Sequence, residues 1–218
     1  LIQISKTKEI KKEINSKMKK ISLRYGLIDM NRTITGYLKG NYNDTADKFQ
    51  TFDGNSISNW KDFSWNSKHY CTSISIPSEF ISKIKVDLKN SISSDSKIHT
   101  ITHVLVNASK ILTKSESNDI DAYYDNGVIH LFDNTSDGYN GCSKIIYENF
   151  ENILDTCFDL VNVCDCKDDP KQNQSTISED WGGCPKCTFT TNYCQTKNKK
   201  LSKKGALDFF SIFYRELK

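Results

Sequence analysis

The sequence predicts an α+β fold: about five helices packed on a small antiparallel sheet, with a disulfide-clamped loop before the C-terminal helix. Three observations predict it. Apolar residues recur at steps of three and four in several stretches, the run from Ala122 to Phe132 alternates around Asn126 and Gly127, and seven of eight cysteines fall between Cys142 and Cys194. A chain of 218 residues has the length of one large domain. Residues 1–218 are therefore read as a single α+β domain with a cysteine-rich subregion at 141–195.

In chain order, Ile10, Ile14, Met18, Ile21 and Tyr25 form a narrow helical stripe over residues 6–25, and Gly26 offers a stop. From Leu27 to Tyr70 the pattern becomes irregular and aromatic. Short strands are expected at Thr33–Leu38, Lys48–Phe52 and Tyr70–Ile76, between Gly, Asn and Asp turns. Trp60, Phe63, Trp65 and Tyr70 read as packing rather than as an exposed stacking platform.

Pro77 starts a second helix with Ile81, Ile84 and Leu88 on one side. Asp95 or Ser96 caps a third, whose apolar face is Ile98, Ile101, Leu105, Ala108 and Ile111 or Leu112. Asn126-Gly127 suits a hairpin turn that needs positive φ. A fourth helix, Ser143 to Val161, turns Ile146, Phe150, Ile153, Leu154 and Cys157 inward. Residues 162–200 lack periodicity, and so long a connection needs cross-links to stay ordered. Ser202 caps a last helix that docks through Ala206, Phe209, Phe210, Phe213 and Leu217.

Only 37% of the residues are hydrophobic, so eight cysteines point to covalent or metal reinforcement. No apolar run approaches the roughly 18 residues of a membrane span, so no transmembrane segment is expected. The chain begins at Leu1, as after removal of a leader or in a trimmed piece. Sequons at Asn31, Asn43, Asn107, Asn134 and Asn173 make a glycoprotein permissible. Lysines number 27 against 3 arginines, a bias of A+T-rich genomes.

Charge is segregated. Residues 6–24 carry eight Lys/Arg against two Glu, a net +6, whereas residues 115–180 carry fifteen Asp/Glu against three Lys, a net −12. So acidic a middle argues against a stable nucleic-acid complex, because phosphate binding depends on basic surface.

The sulfurs admit two schemes. In the first all eight, Cys71, Cys142, Cys157, Cys164, Cys166, Cys184, Cys187 and Cys194, are bridged, and no cofactor is needed. On one helix Cys142 and Cys157 would be about 22 Å apart, too far for one bond, which tolerates about 7 Å. Cys164 and Cys166 are too close for a relaxed one. The economical pairing sets Cys157, Cys164 and Cys166 against Cys184, Cys187 and Cys194 in some order, leaving Cys71 with Cys142. That last bridge would add about 4 kcal/mol in the chain-entropy account. In the second scheme Cys164-X-Cys166 and Cys184-X-X-Cys187 give four thiolates to one zinc, the latter half resembling a zinc knuckle. An even count and scattered partners favour the bridges.

Signs of catalysis are sparse. There is no phosphate-binding glycine loop, no nucleophile elbow and no His-Glu-X-X-His. His99 and His103 stand one helical turn apart, without a glutamate base or an acidic third ligand. A metal-independent nuclease needs only a proton-moving His or Glu and a cation. His99, His103 and Glu9 are the candidates, and nothing in the pattern selects among them, so the balance leans against an enzyme.

The stretch Asn140 to Ile146 around Cys142, with Cys157 one helix later and Trp181-Gly182-Gly183-Cys184 beyond, resembles fungal secreted cysteine-rich proteins, and among them yeast killer-toxin subunits. The resemblance implies a secreted, extracellular toxin or effector that acts on another cell by binding a protein partner or a cell-surface receptor. The alternatives are a small nuclease-type toxin and an intracellular zinc-ribbon binding module.

Overall fold

The computed structural model describes residues 2–15, 20–33, 36–39, 48–51, 64–77, 94–135, 137–166, 184, 186–190 and 201–217. Among these residues seven strands, β1 (Ile2–Asn15), β2 (Lys20–Thr33), β3 (Gly36–Lys39), β4 (Lys48–Thr51), β5 (Ser64–Ser75), β6 (Ile120–Asp125) and β7 (Val128–Asp133), accompany four helices. These are α1 (Ser94–Thr113), α2 (Cys142–Glu148), α3 (Phe150–Asn162) and α4 (Lys203–Leu217). The main sheet has five strands in the order β1-β2-β5-β7-β6, and β3 and β4 pair as a separate ribbon. Every pairing is antiparallel.

The largest correction to the expected α+β plan lies at the N-terminus. Residues 6–15 and 20–25 form no helix; they lie on the paired strands β1 and β2, where Ile10 pairs with Tyr25 and Ile14 with Ile21. Ile10 and Ile14, and Ile21 and Tyr25, are each four residues apart. Four is a multiple of the strand period of two, and it is also close to one helical turn. The register shifts between Lys6 and Lys8, where Thr7 is the additional residue. Among the described residues there are four helices rather than five, and the helix expected after Pro77 lies outside them.

Along β2 the alternation changes phase. Ile21, Leu23 and Tyr25 are buried, and beyond Gly26 and Leu27 the buried positions become Ile28 and Met30. Odd and even positions of a strand face opposite sides. Of the first set, Ile21 and Leu23 join the large core with Ile74, Ile129, Leu131 and helix residues such as Ile101, Ile146, Ile153 and Phe210. The second forms a smaller cluster with Cys71 and Phe132. The sheet is thus buried on both faces along its centre.

Other elements agree more closely with the sequence. The β6–β7 turn places Asn126 at φ 46° and Gly127 at φ 84°, the two positive angles of a type I′ hairpin. The strand expected at Tyr70–Ile76 is the end of the longer β5, and the last helix docks through buried Ala206, Phe209 and Phe210. The helix expected from Ser143 to Val161 breaks at Asn149, whose φ of −116° and ψ of 30° leave the helical region. Its side-chain amide donates to the Ile145 carbonyl at 2.9 Å, alongside its own backbone N–H at 3.0 Å. An asparagine that bonds its own preceding turn competes with the helical ladder.

Helix α2 begins without a side-chain cap of its own. The buried carboxylate of Asp133, at the end of β7, takes that part. It accepts the backbone N–H of Ser143 at 2.7 Å and those of Asn140 and Gly141 at 3.0 Å each. Three donors left over at a helix start thereby find one acidic partner.

Candidate metal centre

Helix α3 ends at Asn162, and the chain continues through Cys164, Asp165 and Cys166. Opposite stands a turn that runs from Cys184 to Thr188. The backbone N–H groups of Thr188 and Phe189 both donate to the Cys184 carbonyl, at 3.0 and 2.9 Å. The Lys186 N–H points to the Cys184 sulfur at 3.3 Å, and the Thr188 hydroxyl accepts the Cys184 N–H at 2.7 Å. This is the knuckle geometry, in which a tight turn aims sulfur and amides at one point.

The four sulfurs of Cys164, Cys166, Cys184 and Cys187 all lie within 4.8 Å of one another. Cys164 Sγ is 3.6 Å from Cys184 Sγ, and Cys166 Sγ is 3.7 Å from Cys187 Sγ. A disulfide would need about 2.05 Å. A zinc ion with Zn–S bonds of about 2.3 Å places tetrahedral sulfurs about 3.8 Å apart. The observed spacings fit the second arrangement and not the first, and the donor set is all thiol sulfur.

Burial and the neighbouring sulfurs bias the protons of three of these thiols. Burial pushes the Cys166 thiol up to about 11, and burial with its sulfur neighbours drives Cys187 higher still. Burial also acts against the Cys184 thiolate. Hydrogen bonds from Cys166 and from the N–H groups of Lys186 and Cys187 outweigh it, and Cys184 is held below the ordinary thiol value. Lys186 pairs with Asp165 at 2.9 Å on the exposed rim.

Two helices hold the halves together. The Nδ1 of buried His103 on α1 lies 3.1 Å from the Thr188 carbonyl oxygen. A carbonyl only accepts, so Nδ1 carries the proton. One turn further on, the Asn107 side-chain amide donates to the Phe189 carbonyl at 2.7 Å. From α4, the Lys203 ammonium donates to the carbonyls of Cys164 and Cys166, at 3.2 and 2.7 Å. Burial works against the charge of Lys203, but its hydrogen bond to Cys166 and the thiolate charge of Cys166, Cys187 and Cys164 hold it above the ordinary lysine value. Sequence reasoning missed these supports. The spacing of His103 and Asn107, four residues apart on one helix, is the signal that was available.

The clustering of four thiols corrects the disulfide-clamped loop, and Cys142 and Cys157 are not bridged either. Cys142, Cys157, Cys164, Cys166, Cys184 and Cys187 are free thiols, the Cys71 sulfur lies 3.6 Å from the Ser73 hydroxyl, and Cys194 lies outside the described residues. Cys71 belongs to the small cluster on one face of the sheet and Cys142 to the large core on the other, so the sheet itself separates the proposed partners. Cys157 is fully buried, with its sulfur 3.8 Å from the Val104 carbonyl. Burial raises its thiol well above the ordinary value.

The candidate catalytic residues are dispersed over two elements. His99 and His103 lie on α1 with ring centroids 4.3 Å apart, while Glu9 is in β1, paired with Gly26. The other two histidines are buried and hydrogen-bonded. His69 donates from Nδ1 to the Asp133 carbonyl at 2.8 Å, and His130 Nδ1 lies 2.9 Å from the Ser73 hydroxyl. Asn107 is half-buried and bonded to Phe189, which is no site for a glycan. No helix among the described residues is long and apolar enough to cross a membrane.

Residues 101–188 match a family model described as MZB, the MrfA Zn-binding domain. That segment holds all four clustered cysteines together with His103 and Asn107. An uncharacterized protein of Methanocaldococcus jannaschii is 28% identical over 120 residues, which cover 50% of this chain and 93% of that protein. The fold resembles part of a crystal structure of the DUF1998 helicase MrfA bound to DNA, with a TM-score of 0.58 at 16% identity. The match covers 98% of this chain and 25% of that one, so the chain spans about a quarter of the helicase.

These matches overturn the resemblance to yeast killer-toxin subunits. Its motif, from Asn140 to Cys184, lies inside the segment matched to the zinc-binding domain, and its Cys142 and Cys157 are core thiols rather than bridgeheads. The secreted toxin reading and its cell-surface partner fall with it. So does the extracellular location, which rested on oxidised sulfur. The expectation of no cofactor gives way to zinc, on the four-sulfur cluster and the family match. The expectation of no nucleic-acid complex loses its ground as well, since the helicase of similar fold was crystallised bound to DNA.

Proposed function

We propose that this chain is a zinc-binding module of a DNA-associated, helicase-type protein, in which Cys164, Cys166, Cys184 and Cys187 hold one structural zinc ion. The observation that carries this reading is the approach of four sulfurs to within 4.8 Å of one another. Four protein ligands close the coordination sphere and leave no position for water or substrate, so the ion would fix structure rather than perform chemistry. Such thiolates persist where the compartment keeps sulfur reduced. Residues 1–218 are proposed to act as one α+β unit around that centre.

Association with DNA is supported by the helicase whose fold the chain shares and by the placement of charge. The described part of that basic run, residues 6–15 and 20–24, carries six Lys/Arg against two Glu, a net +4, on β1 and β2 at the end of the sheet away from β6, while the acidic residues 115–180 begin at the opposite edge. Phosphate backbones are drawn to basic surface of this kind, with an affinity that falls as salt rises.

Metal analysis of the reduced, purified chain tests the first part. One zinc per chain is expected, and cobalt(II) added to the metal-free chain should give the absorption of a tetrahedral tetrathiolate. Fluorescence anisotropy with single- and double-stranded oligonucleotides at two salt concentrations tests the second. Binding that weakens with salt is expected; no binding at low salt would remove the DNA part of the proposal and leave the zinc part standing.

A further inference from the structure

Lys203 is the first residue of α4, and its ammonium donates to the carbonyl oxygens of both Cys164 and Cys166. We infer that Lys203 is a positioning and charge-compensating residue of the four-sulfur centre and sets how tightly that centre holds its metal. The inference rests on the zinc reading above and adds to it a residue 16 positions beyond the last thiol ligand in the chain.

The argument begins with charge. Four thiolates around a divalent ion carry a net charge of minus two. Cys184 and Cys187 are buried, and Cys164 and Cys166 are partly buried. A doubly negative group removed from water is costly unless a cation or oriented donors accompany it. Lys186, also beside the cluster, is engaged by Asp165 on an exposed rim, where water screens the pair. Lys203 is half-buried and spans the two halves of the Cys164–Cys166 segment.

The second part of the argument is mechanical. Residues 164–166 lie in no helix or strand, so the two sulfurs depend on other contacts for their direction. By drawing both flanking carbonyls to one ammonium, Lys203 fixes the segment in a single curve with both cysteines at the same centre. Lys203 is itself held in place. Ser202 donates its backbone N–H to the Thr100 hydroxyl at 2.8 Å, and its own hydroxyl caps the helix through the Gly205 N–H at 3.0 Å. Partners outside the ligand shell typically change metal affinity by about 10–100-fold.

The test measures zinc affinity by competition with a chromophoric chelator, using the reduced 218-residue chain and its variants. Lys203→Met and Lys203→Gln should each bind zinc about 10–100-fold more weakly, with one metal per chain and a tetrathiolate cobalt spectrum retained. Gln keeps helix propensity and a donor, so it serves should the Met variant not fold. Lys204→Met, at an exposed neighbouring position, should match the wild type. Wild-type affinity in either Lys203 variant, or an equal loss in Lys204→Met, overturns the inference while leaving the zinc site intact. Failure of the wild-type chain to bind zinc would instead overturn the zinc reading itself.

Discussion

The imidazole of His103 and the carbonyl of Thr188, 85 residues apart in sequence, meet at 3.1 Å. That contact fastens the Cys184–Cys187 turn to the middle of α1, beneath the thiol cluster. The ring is buried, and burial holds its pKa below the ordinary 6.5 despite the raising effect of the Thr188 carbonyl.

The sign of the resulting pH dependence follows from the two states. In the unfolded chain the ring protonates near 6.5, while in the folded chain it stays neutral to lower pH. The unfolded state binds more protons in that interval, so stability is complete above about 6.5 and is lost as pH falls toward the folded value. His69, also lowered by burial, acts in the same direction. Urea denaturation of the metal-free chain between pH 7.5 and 5 should show falling stability, with a shallower fall in His103→Asn.

Replacing Asp133 should be costly. Its carboxylate is fully buried and accepts three backbone N–H groups. Asp133→Ala leaves all three without an acceptor, at about 1–3 kcal/mol for each group that water cannot reach. A total loss on the order of 3–5 kcal/mol is expected from denaturant titration, and a smaller loss for Asp133→Asn, which keeps one oxygen.

Gly138 offers a backbone test. It sits at φ 71°, and a Cβ there would run into the carbonyl of Lys68. Its own carbonyl accepts the Tyr70 N–H at 2.9 Å, so the segment cannot withdraw without breaking a contact to β5. Gly138→Ala should lose about 2–4 kcal/mol, combining left-handed strain with the steric clash.

Metal uptake should release protons. Cys166 and Cys187 hold their protons well above neutral pH, and zinc binds only thiolates. Calorimetric titration of zinc at pH 7 in buffers of different ionisation enthalpy should reveal about three to four protons released per ion. Affinity should rise with pH.

The cysteines should divide cleanly. Cys187→Ser should abolish stoichiometric zinc binding, whereas Cys71→Ser and Cys142→Ser should leave zinc content unchanged. Mass spectrometry of the chain with and without reductant should show no difference attributable to Cys71–Cys142 pairing, since these thiols occupy clusters on opposite faces of the sheet.

Local information alone determined several elements. The apolar periodicity of α1, the Asn126-Gly127 turn and the Ser202 cap of α4 are each decided by neighbours within a few residues, where propensity and pattern act. The spacing of Cys164, Cys166, Cys184 and Cys187 likewise marks four zinc candidates, while the even count of eight cysteines points to bridges. Tertiary structure decided the rest. Whether Ile10, Ile14, Ile21 and Tyr25 line a helix or pair across two strands depends on a partner strand, β5, whose Thr72 pairs with Tyr25 from 47 residues later. Whether sulfur is bridged or gathered depends on distances among segments that only α1 and α4 bring together. Cysteine carries no local mark of its partner, because a thiol's fate is set by what lies within 4 Å of it in space and not by its neighbours in the chain.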